Sequence, residues 1–370
     1  MQDRQIKTAI FGIGNCASSL VQGIAYCRQH GEDAVGMLFP DLGGYAPGDV
    51  EIVAAFDVDR RKVGKPLSEA IFSKPNNTLV FQPQTGFDAV PVSPGAILDG
   101  VSASMRNQPA DDSFLPIEAG EATREEVVAV LKSSGAEVAI NFLPVGSIEA
   151  TEFYAQCAID AGMAFVNAIP VFIASSDKWA LKFKDAGLPV LGDDFKAQMG
   201  ATIVHRALVE LFGLRGAALD RTYQLNVGGN TDFLNMTDQN RLLMKRESKT
   251  ESVQSAALNR FADGDVRIGP SDYVSWLDDR KVAFIRLEGK LFGGAPVNVE
   301  LRLDVEDSPN AAIMALAAIR CARIALDRKL SGALPEASAF IFKHPPVQAK
   351  DHEAHRMLQD FAAQLPASDD

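Results

Sequence analysis

The chain has 370 residues, 47% hydrophobic and 23% charged, a length that suits two domains or one large domain carrying an insertion. Its net charge of −12 argues against nucleic acid or an anionic membrane as partner, so an anionic ligand must be met by a local cluster of cations. No run approaches the ~18 apolar residues of a membrane span, and Met1 to Lys7 lead directly into a strand, so a cytoplasmic protein is expected.

Residues 7–13 form an apolar run closing on Gly12-Ile13-Gly14-Asn15-Cys16-Ala17, and a helical pattern follows through Leu20, Val21 and Ile24. Strand, glycine turn and helix in this order predict a dinucleotide site. Gly12 permits the tight turn, Gly14 lets a pyrophosphate approach the backbone, and Ala17 allows close helix–strand packing. The next strand, Glu51 to Asp57, ends in a carboxylate suited to ribose hydroxyls, which favours NAD over NADP because it repels a 2′-phosphate. It arrives about twenty residues later than a compact βαβ unit would place it, and the Gly/Asp/Pro-rich stretch 31–49 reads as an inserted loop.

Residues 74–122, with Asn76-Asn77-Thr78 among them, predict loops and short strands over the cofactor. Thr123 caps a helix over 123–132. The buried strand Val138 to Leu143 ends in Pro144-Val145-Gly146-Ser147, a turn at the strand end where open α/β sheets bind ligands. Helix 148–161, strand Ala164 to Asn167, helix 175–186 and strand Pro189 to Leu191 continue the alternation. The fold class predicted is α/β, a doubly wound Rossmann-type parallel sheet.

Gly192-Asp193-Asp194 then leads through Lys196, Gln198, Gly200 and Thr202 into a helix ending near residue 213, a helix start suited to a phosphate. Strands 222–227, 282–288 and 297–305 read as antiparallel, joined at the last step by a turn over Gly289 to Gly294. A half-polar sheet of this kind faces water or packs on a copy of itself, so an α+β second domain doubling as an oligomer interface is expected. Ser308 caps a helix with Pro309 at its first position, running to about Leu330. A final strand, Ala337 to Phe342, ends at Lys343 and returns to the first sheet. The expected division is residues 1–203 for the dinucleotide domain, 204–308 for the inserted catalytic and oligomerisation domain, and 309–370 for the returning segment.

The chemistry gathers in 222–250. Strand Tyr223 to Val227 breaks at Gly228-Gly229-Asn230, and the following helical segment carries Lys245 and Lys249 on one face. On a surface these are a solvated basic pair; in a cleft they bind phosphate or supply an amine of lowered pKa. The four cysteines are scattered without a CxxC pair and read as reduced and packed, and His352 with His355 reads as a solvated helix face. A nicotinamide cofactor beside several lysines points to oxidation of an alcohol to a ketone, with lysines handling the hydroxyl proton and stabilising an enolate. Spacing alone leads to an NAD-dependent enzyme acting on an anionic, phosphorylated substrate.

The runs Gly12 to Ser19, Leu143 to Ser147, Asn167-Ala168-Ile169-Pro170, Gly192-Asp193-Asp194, Asn226 to Asn230, Ser248-Lys249 and Asp307 to Asn310, taken together, resemble myo-inositol-1-phosphate synthases of the shorter, actinobacterial type, from about residue 7 to 348. The resemblance implies a homotetrameric NAD-dependent isomerase that converts D-glucose 6-phosphate to 1L-myo-inositol 1-phosphate. The route it implies is C5 oxidation, enolisation, attack of C6 on the C1 aldehyde, and C5 reduction. It places Lys249 at the phosphate and the enolisation, Lys245 near C5, and Lys343 at the C5 hydroxyl proton. It leaves open which of Lys281, Arg286 and Lys290 neutralises the C1 oxyanion. Asp232 and Asp307 match acids near substrate and nicotinamide. Gly12, Gly14, Asn15, Cys16, Ala17, Asp57, Asn77, Thr78, Leu143, Pro144, Val145, Gly146 and Asp194 are the further cofactor candidates, and Lys196, Gln198, Gly200 and Thr202 those for the substrate phosphate. Whether a divalent or monovalent cation activates the reaction stays open. A homologue cyclising a ketose phosphate such as fructose 6-phosphate to a five-membered ring would carry the same motifs.

Overall fold

β1 (Ile6–Phe11) runs into Gly12 and then α1 (Asn15–His30), and β2 (Val50–Asp57) returns parallel to β1. Gly12 has φ +88°, and a Cβ there would stand 2.9 Å from the Phe142 carbonyl oxygen, so only glycine serves at this turn. The computed structural model describes residues 4–364 except 119, 239, 240, 242 and 263, and it does not describe the side chains of 104, 243–246, 270 and 271. After β2 come α2 (Leu67–Ala70), β3 (Val92–Pro94), α3 (Ala103–Arg106), α4 (Arg124–Ser134), β4 (Val138–Asn141), α5 (Ile148–Ala161), β5 (Ala164–Asn167), α6 (Asp177–Asp185), β6 (Pro189–Leu191) and α7 (Ala201–Leu214). The chain continues through β7 (Ala218–Gly228), α8 (Thr231–Asn235), α9 (Leu243–Gln254), β8 (Val266–Tyr273), β9 (Arg280–Lys290) and β10 (Pro296–Glu306). It closes with α10 (Asp307–Asp327), β11 (Gly332–Ala333), α11 (Pro335–Ile341) and α12 (Asp351–Ala363).

Seven strands form one parallel sheet in the order β11-β6-β5-β4-β1-β2-β3. The strand order reverses at β1, which opens a crevice at the carboxyl ends of β1 and β4. Helices α1 and α10 cover one face, α4, α5 and α6 the other. α10 is apolar and long enough to cross a membrane, yet 67% of its most apolar window is buried within the protein. Alanines at 312, 315, 317, 318, 322 and 325 let it lie close against α1 and the sheet.

The second sheet has the order β10-β9-β7-β8. β10, β9 and β7 pair antiparallel as expected, but β8 joins parallel to β7 and makes the sheet mixed. The sequence reading had no β8, because Gly269-Pro270 interrupts its pattern and proline is tolerated only on a sheet edge, where β8 lies. One face packs on α7 and α9 through Val209, Phe212, Val253, Ile285 and Leu287. The other exposes Tyr223, Leu225 and Phe284.

Two further expectations are corrected. Residues 337–342 are not a strand: Pro335 opens α11, which buries Ala337, Ala339 and Ile341, and the returning strand is the shorter β11. A short apolar run does not distinguish strand from buried helix, whereas proline at the first helical turn does. α10 begins at Asp307, so Ser308 lies inside the helix and its hydroxyl donates to Asp279 Oδ1 (2.9 Å) instead of capping.

His205 of α7 is buried over β7, its Nε2 2.7 Å from Thr222 Oγ1 and its Nδ1 3.3 Å from Gln224 Oε1. Burial pushes its pKa down from 6.5 to about 4. The unfolded chain therefore takes up this proton first, and the stabilisation is complete above pH 6.5 and lost as pH falls towards 4. The expected loss at the acid end is ~3 kcal/mol. Urea unfolding of wild type and His205→Gln between pH 7 and pH 4 checks this: the difference between them should shrink on acidification, and parallel pH profiles would exclude His205 as the source.

Candidate active site

The glycine turn forms one wall of the site. Asp57, at the end of β2, accepts the Ile13 amide at Oδ2 (2.7 Å) and the Val58 and Asp59 amides at Oδ1 (2.7 and 2.8 Å). Lys62, which the sequence reading passed over, is fully buried and donates from Nζ to the Ile13 carbonyl (2.7 Å) and Asn76 Oδ1 (2.8 Å). Burial lowers its pKa. A Cβ on Gly14 would meet no protein atom within 4 Å, so the turn opens onto free space at the amino end of α1. A recess lined by Gly12, Gly14, Asp57, Leu143, Pro144 and Tyr154 continues from it. An open glycine turn, a helix amino end and a carboxylate at the next strand end fit a dinucleotide.

The larger cavity lies between this wall and the second sheet. Asn15, Cys16, Leu143, Pro144 and Val145 line it from the parallel-sheet side. Gly146 is instead a packing position, where a Cβ would stand 2.7 Å from Arg241 Cβ. Arg241 donates to the carbonyls of Val145 (3.2 Å) and Asp99, and Asn235 Nδ2 donates to the Val145 carbonyl (2.7 Å), which clamps the turn after β4. Asn77 and Thr78 do not line the cavity; their amides donate to Asn15 Oδ1 (2.9 and 3.2 Å) and hold that side chain in place. Ala17 is buried in the core beneath the turn.

Behind the wall sits Asp279, also missed from the sequence although it belongs to the run Asp278-Asp279-Arg280-Lys281. Its Oδ1 accepts Asn15 Nδ2 (3.2 Å), Asn230 Nδ2 (2.9 Å) and the Ser308 hydroxyl, and its Oδ2 accepts the Ser308 amide (3.1 Å). One buried carboxylate thus joins the starts of α1, α8 and α10. Burial and the neighbouring Asp307 raise its pKa to about 6. Cys16, 3.9 Å from the Ser308 hydroxyl, is pushed up to about 12 by burial and by the carboxylates of Asp279 and Asp307, which keeps it a neutral thiol.

Among the described residues, three lysines reach the cavity: Lys249 from α9, Lys281 from the start of β9, and Lys343 after α11. Asp194, Asp232 and Asp307 line it with them. Lys343 Nζ donates to Asp194 Oδ1 (2.8 Å) and the Ser248 hydroxyl to Asp194 Oδ2 (2.7 Å), so Asp194 links the segments carrying Lys343 and Lys249. Lys281 Nζ donates to Asp307 Oδ1 (3.1 Å). Gly200 and Thr202 line the cavity at the amino end of α7, whose first turn has no side-chain cap. Its amides are therefore available to an anion.

Four further sequence candidates lie elsewhere. Lys196 points away from the cavity, buried against the Ala339 carbonyl and Asp351. Gln198 donates to the Gly36 carbonyl (2.9 Å) on the outer side. Arg286 pairs with Glu288 (2.6 Å) and Glu300, and Lys290 with Asp220 (3.0 Å), on the outward face of the second sheet. Of the three residues left open for the oxyanion, Lys281 alone lines the cavity. Lys245 lies in α9, with its side chain outside the described residues. Among the described residues no group of three or more His, Cys, Asp or Glu side chains could hold a metal ion.

With this geometry established, comparison with known proteins is specific. A sequence model of the family described as myo-inositol-1-phosphate synthase matches residues 200–308. The inositol-3-phosphate synthase of Mycolicibacterium smegmatis is 50% identical over 363 residues, 96% of this chain and 98% of that protein. The inositol-3-phosphate synthase of Corynebacterium glutamicum is 48% identical over 370 residues, 98% and 99% of the two chains. The crystal structure of a myo-inositol-1-phosphate synthase-related protein from Thermotoga maritima superposes with a TM-score of 0.79 at 26% identity, covering 98% of this chain and 99% of that one.

Proposed function

The chain belongs to the myo-inositol-1-phosphate synthase family of enzymes, and on that premise we propose that it cyclises D-glucose 6-phosphate to 1L-myo-inositol 1-phosphate with NAD held throughout the turnover. The observation that carries this reading is the convergence of Lys249, Lys281 and Lys343 on a cavity that also receives the open glycine turn. Bound NAD would supply a reversible oxidation at the sugar's C5, which makes the C6 protons acidic and leaves no net redox change.

The chain's own groups account for the rest. The Gly14 turn and the α1 amino end would hold the pyrophosphate, and Asp57 with Pro144 and Tyr154 would form the adenosine-side recess. Lys249 and the uncapped first turn of α7 at Gly200 and Thr202 would bind the substrate phosphate. Lys249 would also stabilise the enolate by its charge. Lys343, whose Nζ donates to Asp194, would as the neutral amine take the C5 hydroxyl proton and return it in the reduction step. Lys281 would meet the alkoxide that develops on C1 when C6 attacks the aldehyde, with Asp307 fixing its ammonium. Asp232 and Asp307 would orient hydroxyls near the nicotinamide, and Lys245 would act near C5. The outward face of the second sheet, with Tyr223, Leu225 and Phe284 among charged pairs, supports assembly into a homotetramer.

Purified protein given NAD⁺ and glucose 6-phosphate should yield a six-membered cyclitol phosphate by NMR, with absorbance at 340 nm flat throughout. A five-membered ring from fructose 6-phosphate, with glucose 6-phosphate untouched, would replace this reading. Steady NADH release would mark a simple dehydrogenase instead.

A further inference from the structure

Below the cavity three charged side chains meet that the mechanism above does not use. Lys196 and Arg206 are each 1% exposed, and both point at Asp351. Lys196 Nζ donates to the Ala339 carbonyl (2.6 Å) and to Asp351 Oδ1 (3.2 Å). Arg206 donates from Nε to Asp351 Oδ2 (2.7 Å), from Nη1 to the Ser255 hydroxyl (2.7 Å) and the Ser252 carbonyl, and from Nη2 to the Ala349 carbonyl (2.8 Å).

Each chain segment tied here carries a cavity residue close by. Asp194 precedes Lys196 by two residues, and Thr202 precedes Arg206 by about one turn of α7. Lys249 precedes Ser252 by about one turn of α9, and Lys343 lies between Ala339 and Asp351. The last connection is tightened by Gln348, whose Nε2 donates to the Lys343 carbonyl (2.7 Å). Stability alone is a poor account of three such charges, because apolar replacements of buried ion groups are often neutral or stabilising. What an apolar cluster lacks is direction: a planar guanidinium fork holds its partners at set angles.

We propose that Lys196, Arg206 and Asp351 are positioning residues that set Lys249 and Lys343 against one another across Asp194 for the reaction proposed above, on which this inference rests. A displacement of ~1 Å at a reacting group costs on the order of 10²-fold in rate, so a loosened triad is read in turnover before it is read in cofactor binding.

The test is Lys196→Met, which keeps the side chain's length and leaves Asp351 and Arg206 as a neutral pair. The expected result is a loss of kcat of about 10- to 100-fold. The NADH dissociation constant should stay within about twofold, and KM for glucose 6-phosphate within about threefold. The isotope effect on kcat with substrate deuterated at C5 should exceed that of wild type, because misaligned groups slow the chemical steps. A kcat within threefold of wild type overturns the inference. So does a loss that disappears when rates are normalised to NADH-binding sites, or an unchanged isotope effect. If Lys196→Met does not fold, Arg206→Lys, which keeps the charge and removes the fork, is judged by the same criteria. The wild-type assay run alongside separates failure of the reaction assignment from failure of this inference.

Discussion

Replacing Lys249 by alanine is expected to lower kcat about a thousandfold, equivalent to ~4 kcal/mol of transition-state stabilisation, while NADH affinity changes less than twofold. Lys249 is 5% exposed and lines the cavity from α9, whereas the glycine turn and the recess at Asp57 are built from other segments. Its ammonium is a cation carried by α9 to a site enclosed enough for charge to count more than in water. Truncating a buried lysine also removes packing, so a melting curve belongs beside the kinetics. Turnover within tenfold of wild type, with a normal melting curve, would remove Lys249 from the chemistry.

The second large effect is a contrast within one strand. Lys281→Ala should reduce kcat by ~10²- to 10³-fold, the range for losing a group aimed at developing oxyanion charge. Arg286→Ala should leave kcat within about threefold, because Arg286 faces outward and its partners are Glu288 and Glu300. Lys281 instead reaches the cavity and is held by Asp307. Steady-state kinetics on both variants decide the matter, and equal losses would show that the outward face of the sheet communicates with the chemistry.

The features legible in sequence are those whose physics is local. Thr123 accepts the Glu126 amide, and the Glu126 carboxylate accepts the Thr123 amide in return (2.8 Å), as a cap followed three residues later by Glu predicts. Gly12 and Gly14 are recognisable because strand, turn and helix follow one another without interruption. The parallel sheet follows from alternating apolar strands and amphipathic helices. Lys196 was misplaced for the complementary reason: a lysine near a helix start reads as an anion ligand, and nothing nearby announces that Asp351 and Ala339 will claim it. Asp279 and Lys62 were passed over because their partners at Asn15, Ile13 and Ser308 lie far away in sequence.

The sequence by itself determined a dinucleotide turn, a parallel α/β sheet followed by a second sheet, and a set of lysines suited to a phosphorylated substrate, since each rests on spacing or on contiguous motifs. Lys281 and Arg286 lie on opposite faces of β9, because five residues separate them and side chains alternate along a strand. Which face meets the cavity was decided only by tertiary structure. The burial of Ile285 and Leu287 against Val209 and Phe212 of α7 and Val253 of α9 turns one side of the sheet inward and, at the start of β9, delivers Lys281 to Asp307. The same packing brings α9 and the segment after α11 together over Asp194, so that lysines 94 positions apart in the chain share one site.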